Sequence, residues 1–230
     1  YYFYGAFRVM ERTGKKEVSF VVPTGNFGDV FAGYLAAKMG LPIHRLVLAT
    51  NENDILDRCF KTGLYTRGDV AATLSPSMDI QIASNFERWL YYYLGEDSAK
   101  VTSAMAEFKE TGAIRLSDGA LTDPWLSSGR GDTEATLKAI RETWEKHGYL
   151  LDPHTAVGVS VAKQLPDDGV PTICLSTAHP AKFGSAIEKA IGKDIATHPM
   201  IEALKGAETR VDRLPADAKA VADYVADRAL

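Results

Sequence analysis

The chain has 230 residues, of which 46% are hydrophobic and 24% are charged, and its formal net charge is −4. This composition is typical of a globular protein with a substantial core. The charge and the lack of a basic cluster argue against a nucleic-acid or anionic-membrane partner. No apolar run approaches the roughly 18 residues of a membrane-spanning helix, and no signal peptide is visible.

The cysteines and histidines indicate a reducing compartment and no metal site. Cys59 and Cys174 form no Cys-x-x-Cys pair, and Cys174 lies in an apolar run. We interpret both as buried thiols, which predicts a cytoplasmic location. The five histidines are scattered without ligand spacing, so no metal site is predicted.

The first residues predict the end of a helix, at positions 1–12, with an aromatic face. The chain lacks an initial methionine and begins with the aromatic cluster Tyr1-Tyr2-Phe3-Tyr4. We therefore expect that the chain begins inside a longer protein.

Residues 18–40 predict a strand, a glycine loop and a helix. Residues 19–22 are apolar and β-branched in part, as in a buried strand. Gly25 and Gly28 allow positive φ angles and a close approach to a ligand. The free N–H groups at a helix N-terminus form an anion site, so this loop is interpreted as a phosphate cradle. The alternative is a turn whose glycines serve packing alone.

The cradle would use the backbone N–H groups of Gly25, Asn26, Phe27, Gly28 and Asp29. The Asn26 amide adds a further donor, and the Phe27 ring is expected to pack beneath the loop. The Asp29 carboxylate would repel a phosphate. We therefore expect the Asp29 side chain to turn away and cap the following helix.

A second buried strand is predicted at residues 45–50, which makes a right-handed βαβ unit and a parallel sheet. Asn51 follows this strand at the same sheet edge as the glycine loop. Asn53 or Asp54 is expected to cap a helix at 55–61. Contact between these polar residues and a ligand is the weaker alternative.

The middle of the chain predicts helices separated by irregular segments. Residues 62–82 are interpreted as irregular and 127–131 as a flexible polar loop, with amphipathic helices at 99–109 and 133–146. Asp132 is a candidate N-cap of the latter. Asp152 is expected to cap a further helix, with Pro153 at its first position. We interpret His154 as structural, with a catalytic role as the alternative.

A third buried strand is predicted at 170–176, followed by a loop that contains Thr177 and by a helix to Ile191. Residues 194–230 predict one or two helices that pack on the domain as a tail. The fold class is therefore α/β, with an open, mostly parallel sheet flanked by helices. Because both loops follow buried strands, they open on the carboxyl edge of that sheet, where ligands bind.

Four phrases of the chain resemble threonine synthase. They are Thr-Gly-Asn-Phe-Gly-Asp at 24–29, the Ser-x-x-Met-Asp-Ile … Asn-x-x-Arg pattern at 75–88, Leu-Asp-Pro-His-Thr-Ala-Val at 151–157 and Thr-Ala-His-Pro-Ala-Lys-Phe at 177–183. Threonine synthase belongs to the fold type II, tryptophan synthase-β-like family of pyridoxal-phosphate enzymes. The resemblance covers most of residues 1–192.

This resemblance implies the C-terminal part, residues 1–230, of a large pyridoxal-phosphate-binding domain that is incomplete on its N-terminal side. The cradle would hold the cofactor phosphate, and the Thr177 hydroxyl would hydrogen-bond the pyridine nitrogen. A turn or N-cap role is the alternative for Thr177. The implied reaction converts O-phospho-L-homoserine and water into L-threonine and phosphate.

The resemblance also places the Schiff-base lysine upstream of Tyr1, so the chain alone is expected to be inactive. Lys182 lies near Thr177, but the family's lysine approaches from another part of the fold. A non-catalytic phosphate-ligand-binding or interaction domain is one alternative. Another fold type II pyridoxal-phosphate lyase is the second.

Overall fold

The computed structural model describes residues 1–193 and 195–229, in two compact units, Tyr1–Ala196 and Thr197–Leu230. The strands are β1 (Val18–Pro23), β2 (Ile43–Thr50), β3 (Leu64–Thr66), β4 (Ala113–Arg115), β5 (Leu126–Arg130) and β6 (Thr172–Cys174). The helices of the first unit are α1 (Tyr2–Thr13), α2 (Gly28–Lys38), α3 (Ile55–Thr62), α4 (Phe86–Tyr93), α5 (Ser98–Thr111), α6 (Thr133–His147), α7 (Pro153–Ala162) and α8 (Gly184–Ile191).

A four-stranded parallel sheet forms the centre of the first unit. Its order is β5-β2-β1-β6, and β1 pairs with both β2 and β6. Val21 lies opposite Val47 on one side and Cys174 on the other. Helices pack on both faces, which confirms the predicted α/β class with an open, mostly parallel sheet.

The two faces of the sheet contribute to different parts of the core because strand side chains alternate. Phe20 and Leu48 point into the larger cluster, which includes residues of α1, α2 and α3. Val21 and Val47 point to the opposite face, where Val157 of α7 packs. All of β1 is buried, as predicted for its central residues.

The prediction of a flexible loop at 127–131 is wrong, because most of this segment forms strand β5. Residues 126–130 pair with β2 from Leu46 to Thr50. A Cβ atom on Gly129 would lie 2.6 Å from the Val161 Cγ1 atom, so the missing side chain lets α7 lie directly on this strand. Gly129, one of the small residues that suggested a loop, is required by packing.

The predicted third strand is shorter and less buried than expected. β6 covers only Thr172–Cys174, and its side chains are exposed or half-buried. It occupies the edge of the four-stranded sheet, which explains the partial exposure. Residues 62–82 are largely irregular, as predicted, apart from a short 3₁₀ turn at Pro76–Met78 and β3, which pairs antiparallel with β4.

The second unit contains α9 (Pro199–Glu202) and α10 (Ala218–Ala226), in agreement with the prediction of one or two helices after residue 194. Asp194 and Leu230 lie outside the described residues. The packing of this tail on the large domain stays a prediction. Every helix that the structure describes is too short or too polar to cross a bilayer.

Asp152 caps α7, and Asp132 caps α6, as predicted. Asp152 is 1% exposed, and its carboxylate accepts hydrogen bonds from the backbone N–H groups of His154 and Thr155. Burial opposes ionisation, but the hydrogen bonds from the side chains and backbones of His154 and Thr155 outweigh it and lower the pKa of Asp152.

The tight packing of α2 predicts the effect of Gly33→Ala. The added Cβ would lie 2.5 Å from the Tyr2 ring and 2.9 Å from Leu46. Alanine favours a helix by about 1 kcal/mol over glycine, but overpacking costs about 1–3 kcal/mol. We therefore expect Gly33→Ala to lower the free energy of unfolding, as measured by urea unfolding of the parent polypeptide. Gly119→Ala, at a site with no neighbour within 4 Å, is the control and should be nearly neutral. Equal urea midpoints for the two variants would contradict the tight packing of Gly33 against Tyr2 and Leu46.

The buried cap predicts a pH-dependent effect of Asp152→Asn. At neutral pH the variant should lose about 1–3 kcal/mol of unfolding free energy. Because the folded chain lowers the carboxyl pKa, this stabilisation is present above the unfolded pKa of about 3.9 and is lost as pH falls through the folded pKa.

Urea unfolding between about pH 7 and about pH 3 measures this difference. Asp97→Asn is the matched control, since Asp97 also caps a helix and has a lowered pKa, but its side chain is 40% exposed. Its effect should be smaller. A wild-type advantage over Asp152→Asn that is undiminished at the acid end would refute the assignment.

Candidate functional site

The glycine loop joins β1 to α2 at the carboxyl edge of the sheet. Its conformation differs from the expected one, because Phe27, and neither of the two glycines, has a positive φ of 68°. The Phe27 ring is 1% exposed and packs against Phe86 and Trp89, with centroid distances of 5.8 and 6.2 Å. The prediction that this ring packs beneath the loop is therefore confirmed.

The glycines allow close approach of another segment of the chain. A Cβ on Gly25 would lie 2.9 Å from the Ser77 carbonyl oxygen, and one on Gly28 would lie 3.2 Å from the Asn85 Nδ2 atom. Residues 77–85 thus form one wall of the loop. Neither contact tolerates a side chain without movement of the wall.

The acceptors of Asn26 are occupied by this wall. The Asn26 carbonyl oxygen accepts from the Asn85 backbone N–H (3.0 Å) and from its Nδ2 (2.9 Å). The Asn26 Oδ1 accepts from the Ser84 N–H (3.4 Å) and hydroxyl (3.3 Å). Because a backbone N–H can only donate, these bonds fix the amide orientation and leave the Asn26 Nδ2 group on the other side.

The donors of the loop remain open. Among the described residues, no acceptor binds the backbone N–H groups of residues 25–27, and α2 has no side-chain cap. The first N–H groups of α2, at Gly28 and Asp29, have no intrahelical acceptor. The loop therefore presents backbone donors at the positive end of a helix, which is the chemistry of an anion site.

Asp29 is held by Tyr2 and does not cap α2, so the predicted capping role is wrong. The Tyr2 hydroxyl donates to the Asp29 carbonyl oxygen at 2.9 Å and to its Oδ1 at 3.1 Å. Burial raises the pKa of the Asp29 carboxyl, and the Tyr2 hydrogen bond partly offsets this. Burial and the neighbouring carboxylate raise the pKa of Tyr2.

Thr177 lies in the loop after β6, and its side chain is exposed. Its backbone N–H donates to the Thr155 hydroxyl at 3.3 Å. The following 3₁₀ turn, Pro180–Lys182, is capped by His179, so Thr177 is not its N-cap. The Thr177 hydroxyl therefore has no capping role in the structure.

A cavity of about 310 Å³ brings the two loops together. Its lining residues are Tyr1, Asp29, Leu175, Ser176 and Thr177. This volume is at the lower end of the range of about 300–1,000 Å³ for small-molecule sites. The structure thus places Asp29 and Thr177 at one cavity. The remaining cradle residues, 25–28, precede Asp29 along the chain and do not line it.

Lys182 does not line this cavity either. It ends the 3₁₀ turn at Pro180–Lys182, and its side chain is exposed. The described part of the chain holds no cluster of His, Cys, Asp or Glu arranged for a metal ion. Cys59 and Cys174 are free thiols whose pKa values burial raises to about 12 and about 11.

His154 is 4% exposed, and both of its ring nitrogens have partners within the protein. Its Nδ1 lies 3.1 Å from the Asp152 Oδ1, and its Nε2 accepts from the Ser77 N–H at 3.3 Å. The ring packs against Phe183 at 4.9 Å. These contacts favour the structural interpretation of His154.

Asn51 holds the irregular segment after β3 and is not free to contact a ligand. Its Nδ2 donates to Thr73 (2.9 Å), Ser75 (3.0 Å) and Asp79 (2.8 Å), and its Oδ1 accepts from Asn53. Asp79 and Ser75 belong to the phrase at residues 75–88. That phrase was the one indication in the sequence that this segment matters to the site.

Asp54, one of the two predicted caps of α3, is its N-cap residue, but its side chain makes no capping hydrogen bond. The Asn53 side chain bonds to Ala71 and Asp79. The Asp54 carboxylate pairs with Arg58 at 2.8 Å and Arg130 at 3.5 Å. Both side chains therefore link separate segments near the carboxyl edge of β2.

Sequence comparison relates this chain to threonine synthases. Residues 155–225 match the family model described as threonine synthase, C-terminal. The chain is 48% identical to threonine synthase of Saccharomyces cerevisiae over 214 residues, which are 83% of this chain and 41% of that protein. It is 41% identical to threonine synthase of Methylobacillus glycogenes over 234 residues, which are 99% of this chain and 49% of that protein.

Solved structures give the same relationship. The pyridoxal-phosphate-bound threonine synthase of Brucella melitensis matches with a TM-score of 0.87 and 42% identity, over 98% of this chain and 48% of that one. The yeast threonine synthase matches with a TM-score of 0.86 and 39% identity, over 99% of this chain and 50% of that one. The fold is therefore that of the fold type II pyridoxal-phosphate enzymes.

The chain spans about half the length of these relatives, and the family model that it matches describes their C-terminal part. The two matches extend over nearly all of the chain. The chain belongs to the threonine synthase family.

Proposed function

We propose that this chain forms part of a threonine synthase that binds pyridoxal 5′-phosphate and converts O-phospho-L-homoserine and water into L-threonine and phosphate. The observation that carries the proposal is the cavity between the donor-rich loop and the Thr177 loop. The pyridoxal phosphate named in the Brucella melitensis structure supports the choice of cofactor.

The glycine loop fits the phosphate end of this cofactor. The backbone N–H groups of Gly25, Asn26, Phe27, Gly28 and Asp29 would surround a dianion, and the Asn26 Nδ2 would add a donor. The acceptors of Asn26 are occupied by Ser84 and Asn85, so they do not oppose the anion. The Asp29 carboxylate is bound by Tyr2, which reduces its repulsion of a phosphate.

The Thr177 hydroxyl would contact the pyridine nitrogen at the other end. A hydroxyl can donate to a neutral ring nitrogen, whereas a carboxylate would hold that nitrogen protonated. When bound, pyridoxal phosphate supplies the electron sink and the aldehyde that reacts with amines. The residues of this chain bind and orient it.

The Schiff-base lysine, in this proposal, lies outside residues 1–230. The five residues that line the cavity include no lysine, and Lys182 is exposed on the turn beyond it. The chain alone would therefore be inactive. The whole enzyme would act as a carbon–oxygen lyase on a phosphate ester, in the cytoplasm, where the two thiols of this chain stay reduced.

A non-catalytic phosphate-ligand-binding domain is the second candidate. The absence of lysine from the cavity lining is the observation that favours it. It requires that the parent polypeptide bind pyridoxal phosphate or a similar ligand without turnover. Another fold type II lyase would instead release no phosphate from O-phospho-L-homoserine.

The lysine assignment predicts the result of borohydride reduction. When the parent polypeptide is loaded with pyridoxal phosphate and reduced, mass spectrometry should find the cofactor on a lysine outside residues 1–230. Lys182→Ala should retain phosphate release from O-phospho-L-homoserine. Cofactor on Lys182 would overturn the assignment, and binding without phosphate release by the wild type would favour the non-catalytic alternative.

The phosphate cradle predicts a ligand-specific effect of Asn26→Asp. The added carboxylate should weaken pyridoxal phosphate binding at least about tenfold, because like charges near a protein surface repel by roughly 1–4 kcal/mol. Pyridoxal, which lacks the phosphate, should be affected within about twofold. Absorbance titration of the parent polypeptide measures both affinities.

Asn26→Ala is the control, since it removes one donor without adding charge. It should weaken pyridoxal phosphate only by a few-fold, as expected for one hydrogen bond. Equal losses for the two ligands in Asn26→Asp would show that this loop does not hold the phosphate.

A further inference from the structure

The Leu-Asp-Pro-His-Thr phrase at the start of α7 has no role in the binding scheme above. Asp152, His154 and Thr155 are 1%, 4% and 3% exposed, and none of them lines the cavity. Helix capping uses only the Asp152 carboxylate and the two following backbone N–H groups. The side chains of His154 and Thr155 make additional hydrogen bonds that capping does not require.

Thr155 connects Asp152 to the ring-nitrogen end of the site. The Thr155 hydroxyl donates to the Asp152 Oδ2 atom and accepts from the Thr177 N–H at 3.3 Å. The directions of these two hydrogen bonds are fixed, because an ionised carboxylate can only accept and a backbone N–H can only donate. The position of the Thr177 backbone therefore depends on the Thr155 hydroxyl.

His154 connects the same carboxylate to the phosphate end. Its Nδ1–H donates to the Asp152 Oδ1 at 3.1 Å, and its Nε2 accepts from the Ser77 N–H at 3.3 Å. The ring proton is therefore placed on Nδ1, since the Ser77 N–H requires an Nε2 that accepts. The Ser77 carbonyl oxygen is the atom nearest to a Cβ placed on Gly25, so His154 fixes the wall of the cradle.

We propose that Asp152, His154 and Thr155 are positioning residues that set the separation and orientation of the two ends of the cofactor site. Thr155 positions the Thr177 loop, His154 positions the Ser77 wall behind Gly25, and Asp152 joins the two through its two carboxylate oxygens. This inference rests on the proposed function, because it assigns the two ends to the pyridine nitrogen and the phosphate of one ligand.

The two branches predict different ligand responses, which a purely structural role would not produce. Thr155→Val removes the contact to Thr177 and should weaken pyridoxal phosphate and pyridoxal alike, by roughly 3- to 10-fold, as expected for one buried hydrogen bond. His154→Leu frees the Ser77 wall and should weaken pyridoxal phosphate several-fold more than pyridoxal. Absorbance titrations of the parent polypeptide give both dissociation constants.

Conservative variants test whether the lost hydrogen bond is the cause. Thr155→Ser keeps the hydroxyl and should restore both affinities. His154→Gln offers an amide oxygen to the Ser77 N–H and should recover part of the selective loss for pyridoxal phosphate. Thr136→Val is the control for stability, because Thr136 is also buried and its hydroxyl donates to the Asp132 carbonyl oxygen at 2.8 Å on α6. It should lower the thermal midpoint and leave both affinities unchanged.

The outcomes separate the inference from the proposed function. If wild type binds pyridoxal phosphate, and Thr155→Val and His154→Leu lower only the thermal midpoint, as Thr136→Val does, then the three residues are structural and the positioning role is overturned. Equal losses of both ligands in His154→Leu would overturn the branch to the phosphate end. If wild type binds neither ligand, the proposed function fails and the inference fails with it.

Discussion

The burial of β1 on both faces is the constraint on which the rest of the structure depends. Its side chains contribute to the two clusters of the core that flank the sheet, and its edges pair with β2 and β6. A strand in this position has no freedom of register, since a one-residue shift would move its side chains to the wrong faces. The loop that leaves it at Pro23 therefore begins at a fixed point beside the loop that leaves β6.

Side-chain networks then replace regular secondary structure around that point. The segment between β3 and α4 has little regular structure, yet it forms the wall of the glycine loop. Asn51 and Asp79 hold its first part, and Asn26 holds its last part through Ser84 and Asn85. The first of these networks is centred on Asn51, which is 1% exposed, and a buried polar network specifies one arrangement when its members are satisfied. An irregular segment can therefore serve as a rigid element of the site.

Local signals in the sequence identified the elements that depend on local physics. Short stretches of the sequence predict the apolar runs of β1 and β2, the caps Asp132 and Asp152 and the loop with its donors. The errors have a common cause, which is that a distant segment decided the outcome. Strand β5 consists of residues with weak β-propensity and is defined by the open edge of β2 and by Val161.

Asp29 and Phe27 show the same limit at the site itself. Asp29 was expected to cap its own helix, but Tyr2, 27 positions earlier, supplies its hydrogen bond. The left-handed conformation was expected at a glycine, but Phe27 adopts it, since its ring gains a pocket between Phe86 and Trp89. Burial of a phenylalanine side chain contributes about 1.5–3 kcal/mol, which is enough to offset a backbone cost of roughly 1–2 kcal/mol.

The anchored Phe27 ring also has a consequence for the thermodynamics of ligand capture. A loop that is already ordered loses little conformational entropy when an anion arrives, because that loss occurred during folding. The affinity of the loop for a dianion then depends on two free energies. One is the hydration of the dianion in water, and the other is the solvation of the dianion by the fixed backbone dipoles of the loop. A preorganised loop of this kind keeps its shape when the ligand leaves, so release and rebinding of the ligand need not be accompanied by refolding of the site.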